Sequence, residues 1–415
     1  MTGSSERNWA GNLRYAAARL AQPTSPEQVC EIVAAAPRVR ALGSRHSFNG
    51  IADTTGVLVS LARLPRVIEV DARSRTVTID GGATYGQVAP EVHAQGWALA
   101  NLASLPHISV AGAVATGTHG SGDGNGSLAT AVAAMELVDA DGAPRWLRRG
   151  EPDFAGAVVG LGALGIVTRL VLDIEPTFEV ATTVFSDVPW DAALANFDDL
   201  TAAGYSVSLF TSWEDDVVRQ VWVKTRGAAA PGHLFGIAPA SSTHHMMSAL
   251  DPAALTPQLG VPGPWLDRLP HFRMGFTPSN GAEIQSEWLL PRSATLEAIA
   301  RLRRLGPLVA PLLQTAEIRT VAADALWLSG AYGRDTVGVH FTWLLDVPGV
   351  ERILPAVDAA LLPLGGRPHW GKCSSAGVAD LEPLYERFAD FRALRQRLDP
   401  QRCFGNAYLD RVLGP

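Results

Sequence analysis

Val39-Arg-Ala-Leu-Gly-Ser-Arg-His46-Ser-Phe-Asn49 sets one histidine inside a short run of small and polar residues. Gly43, Ser44 and Ser47 leave their backbone N–H groups unshielded, and successive exposed amides of this kind form concavities that take phosphate oxygens. Leu42, Arg45 and His46 would then border a bound dinucleotide. A surface turn with an idle histidine is the plainer reading of the same residues. What separates the two is whether another stretch of the chain offers the second half of such a site.

Ala103-Ser-Leu-Pro-His-Ile-Ser109-Val-Ala-Gly112-Ala-Val-Ala115-Thr-Gly117-Thr-His119-Gly120, followed by Ser121-Gly-Asp-Gly-Asn-Gly-Ser127, is such a stretch. Bulky side chains are nearly absent, so a cofactor could lie directly against the main chain, with amides and hydroxyls as its partners. A flexible linker would not keep Leu105, Ile108, Val110 and Val114 recurring through it. A literal Gly-x-Gly-x-x-Gly comes later, at Gly160-Leu-Gly162-Ala-Leu-Gly165. The dinucleotide fingerprint of that form needs a strand before it and a helix after it. Here Phe154 to Val159 reads as helix and Ile166 to Ile174 as strand, which excludes nicotinamide binding by this route.

Composition narrows the class. At 415 residues the chain exceeds what one core usually organises, so about two domains are expected. A formal net charge of -7 and the lack of any basic run argue against a nucleic-acid partner. No N-terminal stretch has the apolar core of a signal peptide and no apolar run approaches ~18 residues, so no membrane partner is expected and the expected compartment is the cytoplasm. Cys30, Cys373 and Cys403 lie far apart with no Cys-x-x-Cys pair, which predicts reduced thiols. Cys403, before Phe404, reads as core. Ten histidines include no His-Glu-x-x-His or other ligand spacing, so no metal is expected. His244-His245 falls in a Ser/Thr-rich loop of a kind often left mobile.

Along the chain, strands are expected at Val57 to Leu61, Val67 to Val70 and Thr76 to Ile79, with a helix at Tyr85 to Gln95. Longer strands follow at Ser206 to Trp213, Val217 to Lys224, Ala282 to Leu290, Gln314 to Val321 and Val337 to Leu345, then a helix at Leu381 to Leu398. Side chains two apart on a strand share a face. Glu317 therefore points with Arg319, His340 with Thr342, and Gln285 with Glu287, while Val339, Phe341 and Trp343 turn toward a core. Ordinary solvent-facing polarity would explain any one such pair. Three together suggest a hydrogen-bonding platform, which suits a polyhydroxylated ligand whose hydroxyls both donate and accept.

These segments resemble the vanillyl-alcohol-oxidase type of FAD flavoprotein, and within it the bacterial alditol (xylitol and sorbitol) oxidases. The resemblance covers nearly the whole chain. It rests on Asn8-Trp9-Ala-Gly-Asn12, the His46 loop, the Ala103 to Ser127 segment, Gly162-Ala-Leu-Gly-Ile-Val-Thr168, Phe276-Thr-Pro-Ser279, Glu317 to Asp324, His340-Phe-Thr342 and Arg367-Pro-His-Trp-Gly-Lys372. It implies an α+β fold of two domains: an FAD-binding domain over 1–178, an antiparallel-sheet substrate (cap) domain over 179–375, and a C-terminal segment, 376–415, returning to the first.

It further implies oxidation of the terminal primary alcohol of alditols to the aldose, with hydride passing to flavin N5 and dioxygen reduced to hydrogen peroxide. Ser104, Glu317, Arg319, Thr342 and Lys372 match residues lining the polyol site. Of these, Arg319 and Lys372 would stabilise developing alkoxide charge, and Glu317 would orient hydroxyls and hold the cations. Leu42, Gly43, Ser44, Arg45, His46, Ser47, Ser104, Ser109, Gly112, Thr116, Gly117, Thr118, His119, Ile166 and His369 match cofactor-contacting positions. His46 matches the residue bonded covalently to the flavin, His340 lies near the flavin by the same likeness, and Ala103 is a small residue suited to oxygen access. Many relatives are monomers, and a monomer is expected here. An aldonolactone oxidase or dehydrogenase of the same family, and a catalytically idle flavin- or sugar-binding protein, are the competing readings.

Overall fold

Val39–Leu42 and Val57–Ser60 are short apolar strands that pair in parallel, and Arg19–Ala21 joins the other edge of Val57–Ser60 to complete a three-stranded sheet. The computed structural model describes residues 6–228, 230–247, 250–274 and 282–415. A five-stranded antiparallel sheet follows, in the spatial order Ile68–Asp71, Thr76–Asp80, Ile166–Asp173, Val132–Val138, Pro144–Arg148. Alternation along Ile166–Asp173 buries Ile166, Thr168, Leu170 and Leu172, as a half-covered strand requires. The C-terminal helices Phe388–Leu398 and Ala407–Leu413 put Phe391, Leu394, Leu409 and Leu413 into the same core as Ile79, Val88 and Leu170, so the end of the chain packs on its beginning.

The middle of the chain forms one eight-stranded antiparallel sheet. Its order is Gly263–Pro264, Glu179–Pro189, Val217–Arg226, Ser206–Thr211, Leu313–Val321, Thr336–Leu344, Glu283–Pro291, Arg367–Pro368. The helices Thr295–Val309 and Val347–Leu361 cover one face, where Ile299, Leu302, Val350 and Val357 meet Ile284, Trp288, Ile318, Val339, Phe341 and Trp343. Successive strand residues alternate faces, so covering that side commits Glu317, Arg319, His340, Thr342, Gln285 and Glu287 to the other.

The Gly160 to Gly165 turn links the short helix Phe154–Ala157 to the strand Ile166–Asp173, the reverse of the nucleotide-binding order. Leu161 and Gly162 both adopt left-handed backbone, at φ 54° and 63°. The resulting inward carbonyls are taken up by Arg40, whose buried guanidinium donates to the oxygens of Leu161 (2.9 Å), Gly162 (2.8 Å), Phe404 (2.8 Å) and Ile51. One arginine thus ties the first sheet, this turn and the C-terminal segment together.

Two expectations need correction. Leu381 to Leu398 is not one helix: Pro383 has no N–H to continue the ladder, so Val378–Leu381 passes into the 3-10 turn Glu382–Leu384 before Phe388–Leu398 begins. The His244-His245 loop is also no loose excursion. His245 is buried, its Nδ1 accepts from the Met247 amide at 3.0 Å, and the Gln220 side chain donates to its carbonyl at 2.8 Å. Phe276 to Ser279 lies outside the described residues.

Candidate active site

A cavity of about 410 Å³ runs between the loops of the first sheet and the polar face of the eight-stranded sheet. Leu42, Gly43, Ser44, Arg45, His46 and Ser47 line one wall, and Ala103, Ser104, Ser109, Gly112, Thr116, Thr118 and His119 line another. The two walls are stitched together: the Ser109 amide donates to Ser44 Oγ at 3.0 Å, and the Ser44 amide to Ser109 Oγ at 3.3 Å. A Cβ on Gly43 or Gly112 would lie 2.4 or 2.6 Å from Ser109 Oγ, so a side chain at either position would displace the hydroxyl that bonds Ser44. The wall is main chain and hydroxyls, with Arg45 in left-handed backbone at φ 66°, and this donor-rich lining fits the phosphates and ring system of FAD. Two expected cofactor residues lie between lining residues without lining the cavity themselves. Ile166 is fully buried beneath the sheet, because Gly165 and Val167 take the cavity side of that strand. Gly117 forms a turn, at φ 66°, behind the lining residues Thr116 and Thr118.

The His46 loop is held from both sides. Asn8 donates to the Ser47 carbonyl at 3.0 Å and Asn12 to the Phe48 carbonyl at 3.0 Å, which explains the asparagine pair near the N-terminus. Asn49 donates to the carbonyls of Trp370 (2.9 Å) and Lys372 (2.7 Å), and the Phe48 amide to Gly371 (2.8 Å). The His46 ring stacks on Trp9 at 4.8 Å and meets His107 edge-on, with 2.7 Å between their Nε2 atoms. Burial, then the neighbouring His107, pushes the His46 pKa down to about 3, so the ring is neutral and keeps a lone pair.

Across the cavity, one carboxylate organises two cations. Glu287 accepts from Arg319 Nη2 at 2.6 Å through Oε1 and from Lys372 Nζ at 2.5 Å through Oε2, with only 1% of its side chain exposed. Burial alone would raise this carboxyl; Arg319, Lys372 and His119 hold it well below the usual carboxylate range. His119 Nε2 stands 3.2 Å from Oε1 but without hydrogen-bond alignment. Lys372 is itself pushed below its ordinary value, first by burial and, against the pull of Glu287, by Arg319. Its Nζ also lies 2.8 Å from His340 Nδ1, while His340 Nε2 is 3.0 Å from Thr342 Oγ1. Burial and then Lys372 lower the His340 pKa to about 4. A neutral His340 therefore accepts from the lysine and donates to the threonine.

Glu317 holds Arg319 less closely than Glu287 does. It approaches Arg319 Nε only to 3.6 Å, and its Oε1 bonds His271 Nε2 at 2.9 Å. The carboxylate bonded to both cations is Glu287, a residue marked in the sequence only as half of a polar pair. His369 lines the cavity near His119, with ring centroids 6.2 Å apart, and Ser104 lies at the junction of the two walls. His107, His271 and the buried Lys224 were not legible: two sit in loops without periodicity, and the third sits on a strand that also carries Arg219, Gln220 and Arg226, so its charge does not stand out. Cys373 directs its thiol toward the Phe48 carbonyl at 3.6 Å, and burial pushes that thiol up to about 12. No cluster of three or more His, Cys, Asp or Glu suited to a metal occurs among the described residues.

A glycine- and hydroxyl-lined cofactor wall facing a buried, charged substrate wall defines an FAD-dependent oxidoreductase. Residues 17–148 match the family described as FAD binding domain, and 279–412 match D-arabinono-1,4-lactone oxidase. The chain is 48% identical to the alditol oxidase of Streptomyces sp. over 98% of both proteins. It is 31% identical to L-gulono-1,4-lactone dehydrogenase of Mycobacterium tuberculosis, over 98% of this chain and 99% of that one, and 28% identical to the bovine L-gulonolactone oxidase, over 98% and 97%. Cholesterol oxidase from B. sterolicum shares the fold, with a TM-score of 0.77 at 16% identity over 99% of this chain and 96% of the other. The chain belongs to the vanillyl-alcohol-oxidase type of FAD flavoproteins, together with the alditol oxidases.

Replacing Glu287 with glutamine removes the one carboxylate bonded to both Arg319 and Lys372 and leaves only the longer contact of Glu317 with Arg319, at an expected cost of about 3 kcal/mol. Denaturant unfolding of the FAD-loaded E287Q variant should show that loss at neutral pH, and less of it as rising pH removes the Lys372 proton. An unchanged midpoint would contradict the shared-carboxylate arrangement.

Proposed function

We infer that the protein oxidises the terminal primary alcohol of an open-chain alditol such as xylitol or sorbitol to the aldose, reducing dioxygen to hydrogen peroxide. The observation that carries this reading is the buried face on which Arg319, Lys372, Glu317 and Thr342 converge opposite the FAD wall. FAD, when bound, supplies the acceptor for the hydride of the carbinol carbon and returns the electrons to dioxygen. The chain's own groups do the rest. Arg319 and Lys372 donate to the reacting hydroxyl and stabilise the negative charge that grows on its oxygen, in a site shielded from water where fixed cations act strongly. Glu317, Thr342 and Ser104 alternate acceptors and donors along the remaining hydroxyls. Ala103, small and on the cavity wall, leaves a path for dioxygen.

His46 is the attachment point for the flavin. Its neutral ring, stacked on Trp9 and bonded to His107, retains the lone pair that a nitrogen nucleophile requires. No helix among the described residues is long and apolar enough to cross a membrane. The match of residues 279–412 to D-arabinono-1,4-lactone oxidase favours a second reading, in which a sugar lactone replaces the polyol.

Oxygen uptake on adding xylitol, with partial oxygen return when catalase follows, is the expected result for the purified yellow protein; uptake with L-gulono-1,4-lactone and none with any alditol would move the assignment to the lactone. Acid precipitation should leave the yellow colour with the polypeptide in the wild type and release it from the His46→Ala variant. Colour freed from the wild type would refute covalent attachment.

A further inference from the structure

Lys224 and His271 lie directly behind Glu317, and the reading above gives neither a task. Lys224 comes from the strand Val217–Arg226 on the same face of the sheet as Arg319, and it is 1% exposed. Its Nζ lies 2.5 Å from the Leu269 carbonyl, 3.4 Å from the Pro270 carbonyl and 3.2 Å from His271 Nδ1. Three acceptors match the three donors of an ammonium. His271 Nδ1 must then be the unprotonated nitrogen, which leaves Nε2–H to donate to Glu317 Oε1 at 2.9 Å. Phe210 and Trp222 hold the ring edge-on, with centroids 5.7 and 5.1 Å away, so it has little freedom to turn.

We propose that Lys224 and His271 are positioning residues for the polyol site: Lys224 fixes the His271 tautomer, and His271 fixes the rotamer and anionic state of Glu317. This rests on the alditol reading. One carboxylate oxygen of Glu317 is thereby engaged inside the protein, and the other is left for a substrate hydroxyl. The charged and titratable groups that face Glu317 are Arg319 on its own strand, His340 opposite it on Thr336–Leu344, His271 from its loop, Lys372 across the cavity and Lys224 behind. Burial would raise the Glu317 carboxyl, but Arg319 and then His271 pull it below the usual range. Burial holds His271 neutral, with a pKa of about 4, and brings Lys224 down to about 7, opposed by Glu317 and aided by Arg319.

The test compares Lys224→Met, His271→Phe and His271→Gln as FAD-loaded enzymes. K224M and H271F should keep their flavin, raise the KM for xylitol roughly tenfold, as for one lost hydrogen bond to a charged group, and move the acid limb of kcat/KM toward neutrality. H271Q, whose amide N–H can still reach Glu317, should restore both. A readout without substrate is the 15N NMR spectrum of histidine-labelled protein: the Nδ1 of the His271 Nε2–H tautomer should resonate as a hydrogen-bonded acceptor in the wild type and move to the free-acceptor position in K224M. A K224M enzyme with wild-type KM, acid limb and Nδ1 resonance would overturn the proposal. Should K224M and H271F fail to fold, H271Q and His271→Asn decide it, since the shorter amide should not rescue and equal behaviour of the two would refute the chain. A wild type inactive on every alditol counts against the alditol reading, whereas the Nδ1 resonance judges this proposal by itself.

Discussion

The carboxylate of Glu287, shared between Arg319 and Lys372, is the interaction on which the site depends. Burying two cations close together costs more than either could recover from packing, and a single anion bonded to both makes the arrangement tolerable. The same bonds fix where the two donors stand. Arg319 comes from a central strand and Lys372 from the loop after the edge strand Arg367–Pro368 of the same sheet, so Glu287 adds a side-chain tie between segments that the sheet already brings together.

Backbone hydrogen bonds extend that coupling to the cofactor wall. Asn49 and Phe48, at the end of the His46 loop, bond the carbonyls of Trp370, Gly371 and Lys372. The loop that would hold the flavin and the loop that carries a substrate-facing lysine are therefore one rigid unit. Arg40 plays the corresponding part on the far side, where it collects four carbonyls from three segments. Cofactor and substrate geometry are set together.

Much of this was legible in the sequence for a definite reason. Period-two alternation placed Glu317, Arg319, His340 and Thr342 on one face, and glycine-rich loops marked the cofactor wall, because both signals are local. Glu287 carried the same alternation, yet its pairing with Arg319 and Lys372 depends on strand order, which periodicity does not encode. His107, His271 and Lys224 are placed by loop paths and burial, and no spacing announces them. Ile166, matched to the cofactor wall, turns its side chain into the core, while its neighbours Gly165 and Val167 line the cavity, since one step along a strand changes the face. The polar face also proved to be buried, where an isolated pair would have suggested solvent.

The account stands on where the reacting hydroxyl meets the protein. A crystal structure of the FAD-bound enzyme, reduced and soaked with xylitol in the absence of oxygen, tests this most directly. The expected result is a terminal hydroxyl oxygen within hydrogen-bond distance of both Arg319 and Lys372, with Glu317 on a neighbouring hydroxyl. A bound polyol whose terminal hydroxyl reaches neither cation would contradict the account.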